Sequence, residues 1–247
     1  MYEKLNLPHS CQCIVPIYKK TLLERSGVSA ADKKLIKRLA RITWLYCIKP
    51  ETANIPIFKN EIREYTEIQV IEVEIAEANS SGEFKNTELR RVAEILARAI
   101  PYPTIIIMRH GERFQFWTSH SRNNPADPGG AVVLDSFVST DWLEESTAFL
   151  NRISLEKMRT GNLYDLYSNY VDEITLFNAQ QRGISGGRQA AALTPLQAKH
   201  LLERIDQLES EKSRLISAVK AESQYNRKAE LNIQIKRIEK EIAKTRE

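Results

Sequence analysis

Residues 68–75 read Ile-Gln-Val-Ile-Glu-Val-Glu-Ile, and residues 101–119 read Pro-Tyr-Pro-Thr-Ile-Ile-Ile-Met-Arg-His-Gly-Glu-Arg-Phe-Gln-Phe-Trp-Thr-Ser. In the first stretch Ile68, Val70, Ile71, Val73 and Ile75 form a β-branched run of strand length, with Glu72 and Glu74 alternating against Ile71, Val73 and Ile75. In the second, two strands are expected over 104–109 and 113–119, joined by a His110-Gly111-Glu112 turn in which glycine supplies a positive φ. Between the stretches, Leu89, Val92, Ile95 and Leu96 make an apolar stripe opposite Arg90, Arg91, Glu94 and Arg98. That spacing predicts an amphipathic helix over 87–100, ended by Pro101 and Pro103. Strand, helix and strand followed by a hairpin imply one mixed sheet with helices packed against it, an α/β body.

Toward the N-terminus, Leu35, Leu39, Ile42 and Leu45 or Tyr46 recur at three- and four-residue steps, with Lys33, Lys37 and Arg41 on another face. This spacing predicts one helix over 29–48, capped by Ser29 and stopped before Pro50. Toward the C-terminus, residues 123–130 read as a loop and 131–138 as a further strand. Residues 155–177 read as helix interrupted near Gly161, with Leu163, Leu166, Tyr167, Tyr170, Val171 and Ile174 on its apolar face.

Gly183, Ser185, Gly186 and Gly187 gather in residues 180–192 without apolar periodicity, the composition of a flexible linker closing a mixed α/β domain over 1–179. Beyond it, residues 193–247 hold no Gly, and Pro195 suits a first helical turn after a Thr194 cap. Leu201, Ile205, Leu208, Lys212, Leu215 and Val219 follow coiled-coil steps. A second seam, Leu231, Ile235, Ile238 and Ile242, is out of phase with the first. Two antiparallel arms turning between residues 221 and 226 are expected, a C-terminal helical coiled-coil hairpin; a single long helix with a stutter is the alternative.

Composition sets outer limits on function. The 247 residues carry 36 basic and 32 acidic side chains, an excess of +4 that favours a polyanion only weakly. Three cysteines, Cys11, Cys13 and Cys47, are too few and odd in number for a disulfide framework, so reduced thiols are expected. No apolar run approaches the roughly 20 residues of a membrane span, and residues 1–20 lack a secretion signal. A cytoplasmic location without membrane contact is the expectation.

The search for chemistry turns up fragments. Glu72 and Glu74 share a strand face and could hold a metal, yet no lysine follows and no second acidic strand is evident. His9, Cys11 and Cys13 lack a fourth ligand for zinc. His110, His120 and His200 fall in a turn, a strand end and a helix, and the run Ser119-His120-Ser121 is no triad by adjacency alone. Residues 183–188 lack the Lys-Ser or Lys-Thr of a phosphate loop, and no Gly-x-Gly-x-x-Gly follows a strand. No catalytic residue, metal ligand or cofactor is therefore assigned. Basic groups carry more weight: Lys33, Lys34, Lys37, Arg38 and Arg41; Arg109, Arg113 and Arg122; and Arg227 with Lys228. From these Lys33, Lys37, Arg38, Arg41, Arg227 and Lys228 are the candidates for DNA contact.

Three stretches together resemble an uncharacterised bacterial family known only as a domain of unknown function. They are Trp44 with Lys49, Pro50, Glu51 and Thr52; residues 71–75 with Ala99, Ile100, Pro101, Tyr102 and Pro103; and residues 225–232, Tyr-Asn-Arg-Lys-Ala-Glu-Leu-Asn. In the last, Tyr225 stands where the family pattern has Phe and Ala229 where it has a larger aliphatic residue. The resemblance implies a mixed α/β domain with a terminal helical hairpin, encoded beside helicases and DNA methyltransferases in phage-defence islands. That company suggests work in a restriction-like, antiphage complex and implies no established reaction; with no catalytic motif assigned, the expected role is a non-catalytic accessory or scaffold subunit with those proteins as partners. A nuclease-like effector of the same system is the alternative. Leu201, Leu208, Leu215, Tyr225, Leu231, Ile235 and Ile238 are the candidates for partner binding, which includes a second copy through the coiled coil.

Overall fold

The computed structural model describes residues 2–25, 28–76, 84–123, 133–184 and 192–246. Short 3-10 turns at Tyr2–Leu5 and His9–Cys11 lead into β1 (Gln12–Pro16), α1 (Lys19–Arg25), α2 (Ala30–Lys37) and β2 (Leu39–Ile48). There follow α3 (Pro50–Ala53), the small pair β3 (Phe58–Lys59) and β4 (Glu64–Tyr65), then β5 (Ile68–Ile75), α4 (Asn86–Ala99), β6 (Thr104–His110) and β7 (Arg113–Thr118). Next come β8 (Ser121–Arg122), β9 (Val133–Leu134), β10 (Val138–Ser139), α5 (Phe149–Arg152), a 3-10 turn at Leu155–Lys157 and α6 (Leu163–Gln181). The chain ends with α7 (Pro195–Ala221) and α8 (Tyr225–Arg246). By contacts it divides into two units, Met1–Ile174 and Thr175–Glu247, with the boundary inside α6.

The first unit is built on a six-stranded sheet of order β1-β2-β5-β6-β7-β10. β5 and β6 run parallel, joined through α4, and every other pairing is antiparallel. This is the mixed sheet that strand-helix-strand order followed by a hairpin calls for. The α4 stripe is buried as its spacing requires: Leu89, Val92, Ile95 and Leu96 pack with Ile71 and Val73 of β5 and with Ile106 and Met108 of β6. Each such side chain removed from water contributes roughly 1.5–3 kcal/mol. The β6–β7 turn closes with His110 opposite Arg113, and Gly111 takes φ +60°, which a β-carbon would strain.

The helix expected over 29–48 is half strand. Ser29 does cap α2, its hydroxyl accepting from the Asp32 N–H while the Asp32 carboxylate accepts from the Ser29 N–H. The helix nevertheless ends at Lys37, and Leu39–Ile48 becomes β2 between β1 and β5. Leu35, Leu39 and Ile42 fit a helical stripe, but residues 42–48 are mostly β-branched or aromatic. In that composition the pairing demanded by the inner edge of β5 overrides the helical spacing. Lys33 and Lys37 therefore lie on a helix, Arg38 at its C-cap and Arg41 on a strand, so the four do not share one helical face.

The strand expected over 131–138 divides as well. Val133–Leu134 pairs with β8 and Val138–Ser139 with β7, and between them the Asp135 N–H donates to the His120 carbonyl. Of the loop expected over 123–130, residues 124–130 lie outside the described residues. The interruption expected near Gly161 is present. α6 begins after it, with Leu163, Leu166, Tyr167, Tyr170 and Ile174 buried.

In the second unit Ala179 and Ile184 pack with Ala198 and Ile205 of α7. Residues 185–191, most of the expected linker, lie outside the described residues. Thr194 and Gln197 form a reciprocal capping box with Pro195 in the first turn of α7. α7 and α8 pack against each other as a hairpin, which excludes the single long helix.

Candidate functional site

The hairpin holds most of the residues that the sequence marks for binding. Its turn needs no glycine, because the Glu222 carboxylate accepts the N–H groups of Ser223 at 2.8 Å and Gln224 at 2.9 Å. Those backbone donors hold the Glu222 carboxyl below its usual range, and Arg227, 3.9 Å away, adds to the effect. Below the turn, Leu208 and Leu215 of α7 are buried with Ile238 and Ile242 of α8, and Leu231 and Ile235 pack at the margin. Leu201 packs in the neighbouring cluster with Ile205. Lys212, at a seam position, reaches Glu239 across the arms at 2.7 Å, and Arg204 is paired with Glu241.

The seam residues therefore hold the two arms together. What the hairpin shows to solvent is different: Tyr225 at its tip is 84 % exposed, and Leu196, Ile216 and Ile233 are exposed as well. An aromatic residue with that much free surface beside Arg227 can stack on, or insert into, a partner.

The basic candidates divide by their partners. Lys33 and Lys37 are exposed on α2. Arg38 is bonded to Glu88 at 2.5 Å and lies 4.0 Å over the Phe84 ring, while Arg41 is 3.3 Å from Glu74. A guanidinium already facing a carboxylate gains less from a phosphate. The group around the β6–β7 hairpin is engaged in the same way: Arg109 with Glu72, Arg122 with Asp135, and Arg113 over the Trp142 ring.

The two glutamates of the acidic pair differ in their surroundings, Glu74 half-exposed beside Arg41 and Glu72 buried. Glu72 lies on β5, an inner strand, and is 4 % exposed. Its carboxylate accepts from the Tyr2 hydroxyl and from Arg109 Nη1 at 3.5 Å. Burial pushes its carboxyl up, against the pull of Arg109. With an arginine where a metal would have to sit, Glu72 acts as an internal anchor. Nothing in the spacing of the sequence marks Tyr2 or Arg109 as its partners, because both arrive through tertiary folding.

The thiols are also engaged internally. Cys11 donates to the Thr52 carbonyl at 3.5 Å, Cys13 to the Cys11 carbonyl at 3.7 Å and Cys47 to Glu67 at 3.0 Å. Burial raises all three, Cys47 to about 12, so they are protonated at neutral pH and are poor thiolate ligands. Among the described residues no group of three or more His, Cys, Asp or Glu could hold a metal ion. His120 Nδ1 is 2.6 Å from the Tyr65 hydroxyl, within rings contributed by Tyr164 and Tyr167, while His110 lies near Trp142 and His200 is exposed beside Glu203. Ser119 bonds to backbone carbonyls, including that of Asp135, so the Ser119-His120-Ser121 run forms no relay.

A model of a domain of unknown function, DUF4391, matches residues 5–242. The chain belongs to the DUF4391 family. The match covers the sheet, its helices and nearly all of the hairpin, so a DUF4391 domain comprises both units. No curated protein and no solved structure matches the chain significantly. No helix among the described residues of this DUF4391 chain is long and apolar enough to cross a membrane.

Proposed function

We propose that this DUF4391 chain is a cytoplasmic, non-catalytic accessory or scaffold subunit of a bacterial restriction-like, antiphage complex. In this reading the α/β body binds one partner and the hairpin another, a helicase or a DNA methyltransferase subunit or a second copy. Lys33, Lys37, Arg227 and Lys228 add sequence-independent contacts to DNA. The observation that carries the reading is the hairpin. It buries its own seam and still presents Tyr225, Ile216 and Ile233 outward, the arrangement of a docking arm.

The rival reading, a nuclease-like effector, needs Glu72 and Glu74 to hold a metal, whereas Glu72 is taken up by Tyr2 and Arg109. Affinity purification of the full chain from its native host, with the bound proteins identified by mass spectrometry, tests the proposal. A helicase or methyltransferase subunit should be recovered in stoichiometric amount. Cleavage of plasmid or linear DNA by the purified chain with magnesium or manganese, lost in a Glu72→Ala, Glu74→Ala double variant, would overturn the non-catalytic assignment.

A further inference from the structure

α8 carries seven basic side chains and three acidic ones, and the hairpin sorts them. Two of the carboxylates are turned to α7: Glu239 to Lys212 at 2.7 Å and Glu241 to Arg204. The third, Glu230, lies about two turns N-terminal of Arg237. At 3.6 residues per turn, Lys236, Arg237, Lys240 and Lys244 fall within roughly 100° of the circumference, opposite Leu231, Ile235, Ile238 and Ile242 of the seam. All four are exposed, and none pairs with a carboxylate among the described residues. They run for about 12 Å along the helix with no acidic side chain between them on that face. The outer face of α7 differs: Glu203, Asp206 and Glu211 are interspersed there with Lys199 and Arg214.

We infer that this stripe of α8 is a binding surface for the phosphate backbone of duplex DNA. A surface of four unpaired cations is complementary to a polyanion, and release of condensed counterions supplies the affinity. An anionic membrane is the weaker match. A helix that lies in a bilayer surface inserts an apolar face, and the apolar face of α8 is already buried against α7. A single strand would need stacking rings, and the stripe itself, residues 236–244, contains no aromatic side chain.

The inference rests on the accessory reading and adds to it a DNA-bound face along α8. It is tested on the purified full chain without partners, so its failure and that of partner capture are separate results. Fluorescence anisotropy with a labelled duplex is measured from 50 to 200 mM salt. The stripe's four phosphate contacts contribute about −3.6 to the slope of log affinity against log salt, a share worth about a hundredfold loss across that range. Replacing Lys236, Arg237, Lys240 and Lys244 together by Gln, a good helix former at exposed positions, should leave the circular dichroism unchanged. It should weaken binding at 50 mM salt on the order of a hundredfold and make the slope shallower by about three to four. Lys33→Gln with Lys37→Gln should leave the stripe's share of the slope in place. Wild-type affinity and slope in the fourfold variant would overturn the inference. So would no duplex binding by the native chain at 50 mM salt, or binding to phosphatidylserine vesicles without binding to duplex.

Discussion

At the scale of single residues, one contact that ties α2 to α4 is the bidentate pair of Asp32 and Arg91, with N–O distances of 2.8 and 2.9 Å. The same carboxylate closes the capping box with Ser29, and chiefly Arg91 holds Asp32 well below the usual carboxylate range. Asp32→Ala is expected to cost about 2–3 kcal/mol, from the charged hydrogen bonds and the cap together, measured as a lower urea midpoint. A carboxyl depressed in the folded state stabilises above its unfolded value, near 4, and loses that contribution as pH falls toward its folded value. The native chain should therefore lose stability below about pH 4 more steeply than the variant. Cys47 gives a second test. With its thiol raised to about 12 and its side chain buried, it should resist iodoacetamide at pH 7.5 in the folded protein and react only after unfolding. Rapid alkylation of native Cys47 would contradict the placement of its sulfur against Glu67.

At the scale of elements, the hairpin's stability rests on a short seam. Leu215→Ala should destabilise it by about 2–3 kcal/mol, and Leu208→Asp with Ile235→Asp should separate the arms, because each introduces an unpaired charge at the seam. Faster hydrogen exchange of the α8 amides, with the sheet amides unchanged, is the expected signature. The hairpin was legible in the sequence because two seams out of phase cannot share one straight helix, and the sheet because β5, α4, β6 and β7 each carry a clear period. Residues 39–48 were not, since Leu39 and Ile42 satisfy the helical spacing and only the neighbouring strands settle the conformation. The candidate site was legible in part. Tyr225, Arg227 and Lys228 could be found from the sequence, but that Arg38, Arg41 and Arg109 would be matched by Glu88, Glu74 and Glu72 could not, because those pairs join elements far apart in the chain.

At the scale of the whole molecule, the boundary inside α6 gives two units with separate cores. A chain ending at residue 184 should keep the sheet, with its near-ultraviolet circular dichroism and a cooperative melt retained, because among the described residues the core cluster between the sheet and α4 draws no side chain from α7 or α8. The proposed function makes the hairpin the arm that holds a partner in the complex. The most direct test is capture of a helicase or DNA methyltransferase subunit from the native host by the tagged full chain, the chain ending at residue 184, and the Leu208→Asp, Ile235→Asp variant. The full chain should retain the partner in stoichiometric amount while both altered forms, folded in the sheet, lose it; equal capture by all three would contradict the docking role of the hairpin.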